Sequence, residues 1–282
     1  MNPVQVYESL IDVVQSTILQ GDGNSQTNTR ILQLNPVQSG GSNSGVTPSV
    51  RCEGMAVPYF RLTNRAAGSA YVGIGVRIPN RFWTAGQWVD ATTTYTDDVT
   101  DAQDVGTSDF VLETTTNSDG YMIASDVLFN AVLVDIGTAS AGAGDPVRAA
   151  RYSDSAGTGW SALTTLVLTG AAADYSTSTE TVVAFQTPSD WGLHVSGLGT
   201  GTPVGKYLLN VRATTAPVTT AGIANSITLY RIYFLESVAA DASLELNVSP
   251  AEFGMPHGDG LVAFFATADA ENSVRALARY RG

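Results

Sequence analysis

The feature that most restricts what this chain can fold into is hydrophobic alternation at period two. It is clear in Tyr71–Ile78 (YVGIGVRI), Tyr207–Ala213 (YLLNVRA), Ile227–Leu235 (ITLYRIYFL) and Val274–Arg281 (VRALARYR). These runs are rich in the β-branched and aromatic side chains that suit a pleated, half-buried surface. From about residue 55 onward, turn signals such as GDP, TPSD, GTGTPVG and PHGDG separate the apolar runs. Many short strands joined by Gly/Pro/Asp turns, with no second long helical pattern, predict a mainly β protein: an antiparallel β-sandwich, jelly-roll-like, in one or two lobes. In YLLNVRA the alternation sends Tyr207, Leu209, Val211 and Ala213 toward a core and Leu208, Asn210 and Arg212 outward.

The N-terminal part reads differently. Tyr7, Ile11, Val14 and Ile18 share one helical face, with Pro3 near the start and Gly21 past the end, so residues 4–19 read as an amphipathic helix. The β-branched run Val13, Val14, Thr17 and Ile18 also suits a strand. Residues 21–50 turn polar and Gly-rich around one apolar patch, Ile31, Leu32 and Leu34. This reads as an extended arm able to reach roughly 100 Å, with a flexible linker as the alternative on composition alone. The expected organisation is therefore a helix and arm over residues 1–54, a β-sandwich body over 55–240, and a C-terminal β-hairpin over 241–282 completing the body.

Charge narrows the function. Only 14% of the 282 residues are charged, against about 25% in ordinary soluble domains. The net charge is −12, and thirteen of the fourteen cations are Arg, with Lys206 the single Lys. Residues 91–282 hold eight cations against twenty-one acids. Binding to nucleic acid through counterion release needs clustered cations, so that role is excluded for the body. The longest apolar stretches, such as Val127–Ile136, are too short to span a bilayer as a helix and are broken by Asn or Asp. The N-terminus lacks a basic n-region and a small-residue cleavage site, and Cys52 is the lone cysteine, so the chain is expected to be made and used without Sec export.

Catalytic and metal signatures are sparse. The two histidines, His194 and His257, have no nucleophile motif around them, and GSNSG at 41–45 lacks the central Ser of a nucleophile elbow. No zinc spacing, phosphate-binding loop or dinucleotide fingerprint occurs. No catalytic residue, metal or cofactor is assigned, and the chain is read as a non-enzyme. The Asp-rich stretch TDDVTDAQD, with Asp97, Asp98, Asp101 and Asp104, does not keep EF-hand spacing. It reads as a solvated or partner-facing loop, with an incidental Ca²⁺ site as the alternative.

Residues 147–215 are more distinctive. They run through Tyr152, then GTGWSALTTL (157–166), VVAFQTPSDWG (182–192) and GKYLLNVRATTAP (205–217). This order resembles a β-sandwich module that recurs in structural proteins of tailed bacteriophages: an aromatic strand, a G-x-W-x-x-L strand, a Phe-x-x-P-x-D-W corner and a Tyr-hydrophobic-x-Val-Arg strand. The resemblance implies a virion component, a capsid decoration or cement protein. Such a protein would be made in the host cytoplasm and seated on the phage head surface, bound to the major capsid protein as a homo-trimer. The expected partner-facing residues are the arm patch Ile31, Leu32 and Leu34 with Arg51, Arg61, Arg212, Arg275, Arg279 and Arg281, since Arg suits fixed bidentate pairing with acids on a neighbour. The alternative is a host-recognition appendage, such as a tail fibre, head fibre or baseplate protein, binding a surface glycan on exposed Trp83, Trp88 or Trp191.

Overall fold

The computed structural model describes residues 16–22, 31–33, 35–36, 55–104, 109–142, 147–163, 175, 180–215, 218–247, 261–267, 269 and 271–280. Over these residues the protein is mainly β, and the strand pairings are antiparallel. The chain divides into two compact units, one built from Met1–Ile78 with Arg231–Gly282 and the other from Pro79–Tyr230.

The first unit opens with β1 (Ser16–Asp22), β2 (Ile31–Gln33), β3 (Asn35–Pro36), β4 (Met55–Thr63) and β5 (Ala70–Arg77). The second contains β6 (Trp83–Val89), β7 (Thr94–Asp97), β8 (Phe110–Val111), β9 (Gly120–Ser125), β10 (Ala131–Thr138) and β11 (Ala141–Gly142). It continues with β12 (Val147–Ser153), β13 (Trp160–Ala162), β14 (Glu180–Ala184), β15 (Tyr207–Thr215) and β16 (Val218–Thr220). The long strand β17 (Ile223–Val238) carries the chain from the second unit back into the first. There the chain adds β18 (Ser243–Asn247), β19 (Leu261–Phe265) and β20 (Ser273–Tyr280).

In the first unit one sheet has the order β18-β4-β20-β1-β3. Its centre joins the two ends of the sequence, because β1 pairs with β20 from Ser16 opposite Arg279 to Asp22 opposite Ser273. Residues 16–19, expected at the end of a helix, are thus strand, while residues 4–15 of that expected helix lie outside the described residues. Thr17 and Ile18 are β-branched, and a ready partner in β20 decides in favour of the extended form. The ladder between β20 and β4 shifts register between Leu277 and Arg279, where two residues of β4 including Pro58 oppose one. Proline has no N–H to give a ladder, and a bulge absorbs the gap.

The same unit holds β5 paired with β19, which in turn pairs with β2. The two C-terminal strands therefore do not form the expected hairpin; they enter different sheets. Glycines at positions 73 and 75 of β5 let residues 231–235 of β17 approach closely, since a Cβ at Gly73 would lie 2.7 Å from the Tyr233 carbonyl oxygen. Val72, Ile74, Val262, Phe264, Phe265, Phe60 and Leu62 are all buried, and the rings of Phe60 and Phe234 lie 5.9 Å apart.

In the second unit a six-stranded sheet has the order β13-β12-β15-β9-β6-β7. β10 pairs on one side with β14 and on the other with residues 223–230 of β17, whose start also pairs with β8. The central strands of the six-stranded sheet are covered on both faces: all six residues of β9 are buried, as are Leu208, Leu209, Asn210 and Val211 of β15. The expectation that Leu208 and Asn210 face outward therefore fails. Leu208 packs with Met122, Trp88, Tyr95 and Leu198, where the loop carrying Leu198 covers a face that alternation assigns to solvent. The α-helix among the described residues is α1 (Val99–Gln103).

Candidate functional site

The segment that carries the resemblance folds into one aromatic corner of the second unit. The Trp191 ring lies 5.1 Å from Phe129, 5.8 Å from Phe185, and 6.0 Å from both Tyr152 and Tyr207, centroid to centroid. Its indole Nε1–H donates to the Leu208 carbonyl at 3.1 Å, and the Tyr152 hydroxyl donates to Asp190 at 2.8 Å. Burial, reinforced by that carboxylate, raises the Tyr152 pKa. Strands β12, β14 and β15 and the TPSDW corner, distant in sequence, are tied together at this one indole. Its N–H is satisfied, as a buried Trp requires. With Trp83, Trp88 and Trp191 only 4%, 1% and 7% exposed, none of the three offers a face to a sugar.

On the opposite face of the same sheet, where Arg151 and Asn210 alternate with Tyr152 and Leu209, Asp90 gathers donors from three strands. Its Oδ1 accepts from Arg151 Nη2 at 3.1 Å, Arg212 Nη1 at 3.3 Å and Trp88 Nε1 at 3.2 Å. Arg151 Nε donates to Asn210 at 2.8 Å, and its guanidinium stands 4.7 Å from the Trp160 ring centroid and 5.3 Å from that of Trp88, within cation–π range. Partial burial, with the neighbouring Arg212 charge, lowers the Arg151 pKa to about 10, so the Arg151 guanidinium stays charged at neutral pH. Arg212 was expected to meet an acid on a neighbouring molecule. It meets Asp90 of its own chain instead.

A second charged group lies deeper in the same unit. Arg148 grips Glu113 with two hydrogen bonds, Nε to Oε2 at 2.9 Å and Nη2 to Oε1 at 2.7 Å, and also donates to Ser140 Oγ at 2.9 Å. The two side chains are 5% and 1% exposed. The Arg148 guanidinium sits 4.4 Å from the Tyr175 ring centroid, and the Tyr175 and Tyr121 hydroxyls share a hydrogen bond of 2.9 Å. Burial pushes the Tyr121 pKa to about 12 and that of Tyr175 well up. No spacing in the sequence marks this network, because thirty-five residues separate Arg148 from Glu113.

The Asp-rich stretch is an ordered turn around α1. Asp97 accepts hydrogen bonds from Tyr95 OH, at 2.8 Å, and from Thr84 Oγ1. Partial burial, then a hydrogen bond and repulsion from Asp101, raise the Asp98 pKa to about 6. Among the described residues no three His, Cys, Asp or Glu side chains converge in a way that would hold a metal ion. His194 is buried, its Nδ1 2.8 Å from the Pro203 carbonyl; His257 lies outside the described residues.

The expected partner-facing residues divide. Ile31 and Leu32 are 3% and 0% exposed and sit in β2 against Phe264 and Ala263 of β19, so these two residues of the arm patch are consumed by the first unit's own core. Arg61 is exposed but pairs with Glu245 of the neighbouring strand at 3.2 Å. Arg275 and Arg279 belong to β20, in the interior of its sheet between β1 and β4. Leu34, Arg51 and Arg281 lie outside the described residues. Of the described candidates, Arg61 and Arg275 stand opposite one another in the β4–β20 ladder, whereas Ile31 and Leu32 belong to the other sheet. What the sequence reading missed is a cluster of exposed aliphatic residues, Leu193, Val195 and Val204, hidden in a Gly-rich stretch that reads as an ordinary turn. Compared with models of known protein families and with curated proteins, the chain matches none.

Proposed function

We propose that this chain is a structural protein of a bacteriophage virion, a capsid decoration or cement protein that binds the major capsid protein lattice and stabilises the head. The observation that carries the reading is the Trp191 corner: the aromatic strand, the Phe-x-x-P-x-D-W turn and the Tyr-Leu-Leu-Asn-Val-Arg strand of the resembling module meet at one indole. These are packing residues. In this view each unit is a lobe of a sandwich. The trimeric state and the seat on the head follow from the resemblance. The mechanism is mechanical: many modest contacts made at once to several lattice subunits add up through multivalency and resist internal DNA pressure. The glycan-binding appendage is less well supported, because Trp83, Trp88 and Trp191 are spent on packing.

The test is to locate the chain in purified particles by cryo-electron microscopy and to compare heads with and without it. Regular occupancy over the capsid lattice, and DNA release at lower temperature from heads that lack the protein, are expected. Absence from the particle, or a place at the tail tip, overturns the reading.

A further inference from the structure

Four large hydrophobic residues are exposed among the described residues, and three of them, Leu193, Val195 and Val204, at 44%, 59% and 65% exposure, belong to one loop of the second unit. They sit on a narrow two-limbed ribbon. Leu193 bridges to Tyr207, the His194 N–H donates to the Lys206 carbonyl at 2.7 Å, and the Gly205 N–H donates to the His194 carbonyl at 2.7 Å. Along the first limb His194 turns inward while Leu193 and Val195 stay out; Val204 occupies the facing limb. Clustered branched aliphatics left in water mark a surface that gains free energy when covered.

The ribbon is held rather than loose. Its connecting segment is fixed by the Thr200 N–H donating to the Thr93 carbonyl at 2.8 Å and the Tyr95 N–H donating to the Thr200 carbonyl at 2.9 Å. Leu198 is buried beside Trp88 and Tyr95. Gly199, at φ 132°, comes so near that a Cβ there would stand 2.8 Å from the Trp88 ring, a position only glycine fills. The Val195 N–H donates to the Gly157 carbonyl at 2.8 Å. Side chains preset in this way lose little conformational entropy when a partner covers them.

Charge selects the partner. The second unit carries five cations, Arg81, Arg148, Arg151, Lys206 and Arg212, against fifteen Asp and Glu, a net of −10. On the ribbon itself Lys206 is held by Asp126. Asp154, whose backbone carbonyl would meet a Cβ at Gly192, and the exposed Asp190 border the first limb. Such a rim repels a second copy of the same face and an anionic lipid surface, and attracts cations.

We propose that the Leu193–Val195–Val204 ribbon is a docking surface for a protein partner that presents an apolar recess bordered by Lys or Arg. The inference stands apart from the virion reading, since it requires only a partner of that chemistry; on a phage head that partner would be a lattice subunit.

The test titrates the full chain, followed by amide NMR, with an amphipathic helical peptide of Leu and Lys, a Lys/Ser peptide and a Leu/Ser peptide. The Leu/Lys peptide is expected to shift amides of residues 192–206 first. The pair Val195→Ser with Val204→Ser, both exposed and so expected to leave the melting temperature unchanged, should weaken its binding about tenfold. Equal response to the Lys/Ser peptide, shifts spread over the acidic surface, or indifference to the double substitution overturns the proposal. Self-association in sedimentation that disappears in the double variant also overturns it, by assigning the ribbon to a second copy. Absence of the chain from virions sinks the proposed function and leaves this result untouched.

Discussion

Two arginine sites in the second unit make opposite use of the same side chain. Arg148 and Glu113 are nearly sealed from solvent and joined by two parallel hydrogen bonds, with Ser140 and the Tyr175 ring completing the guanidinium's surroundings. Arg151 and Arg212 share one carboxylate oxygen of Asp90, whose side chain is 32% exposed. The difference lies in what breaking each pair leaves behind. Removing one partner from a buried pair strands a charge in a low-dielectric interior, whereas at a half-exposed site water takes over. The deep pair thus fixes how β8 and its following residues meet β12, and the shallow one trims a surface.

The largest effect is expected from Arg148→Met, which leaves Glu113 buried and alone and should cost about 3–5 kcal/mol in chemical denaturation. Adding Glu113→Leu to that variant should recover most of the loss; a double variant no better than the single would mean that packing, not stranded charge, sets the cost. Next comes Asp90→Asn, expected at about 1–2 kcal/mol because Arg151, Arg212 and Trp88 all lose a charged acceptor. A loss as large as that of Arg148→Met would erase the contrast between the two sites. Arg212→Gln should cost below about 0.5 kcal/mol and less still in high salt, where exposed pairs are screened.

The smallest effect separates a like-charge pair from both. Because the Asp98 pKa is raised from 3.8 to about 6 in the folded chain, the folded state binds more protons than the unfolded state between those values. Stability from this group is therefore full below about pH 4 and declines as pH rises toward 6. Asp98 is only partly buried, at the surface, so Asp98→Asn is expected to gain about 0.3 kcal/mol at pH 7 and nothing at pH 4. Equal gains at both pH values would trace the effect to the turn instead of to the partly buried charge and its neighbour Asp101.

Much of the strand content was legible because alternation and turn chemistry are local. Tyr71–Arg77 and Ile227–Leu235 fall in β5 and β17. Non-local choices were not legible. Nothing in Thr17–Ile18 distinguishes helix from strand until β20, more than two hundred and fifty residues later, offers a ladder. Leu208 read as outward because alternation counts one covered face, and here the loop around Leu198 covers the second. Ile31 and Leu32 read as adhesive because a short apolar patch in a polar stretch looks the same whether its partner is another molecule or β19 of its own unit.

The pairing of β1 with β20 also sets a timetable. During synthesis residues 79–230 emerge as an unbroken block and can collapse as soon as they clear the ribosome. The first unit must keep Ser16–Asp22 waiting for a sheet partner made more than two hundred and fifty residues later. Premature release of the nascent chain therefore yields a finished acidic lobe trailing an unmatched edge strand, a species prone to stick to others of its kind.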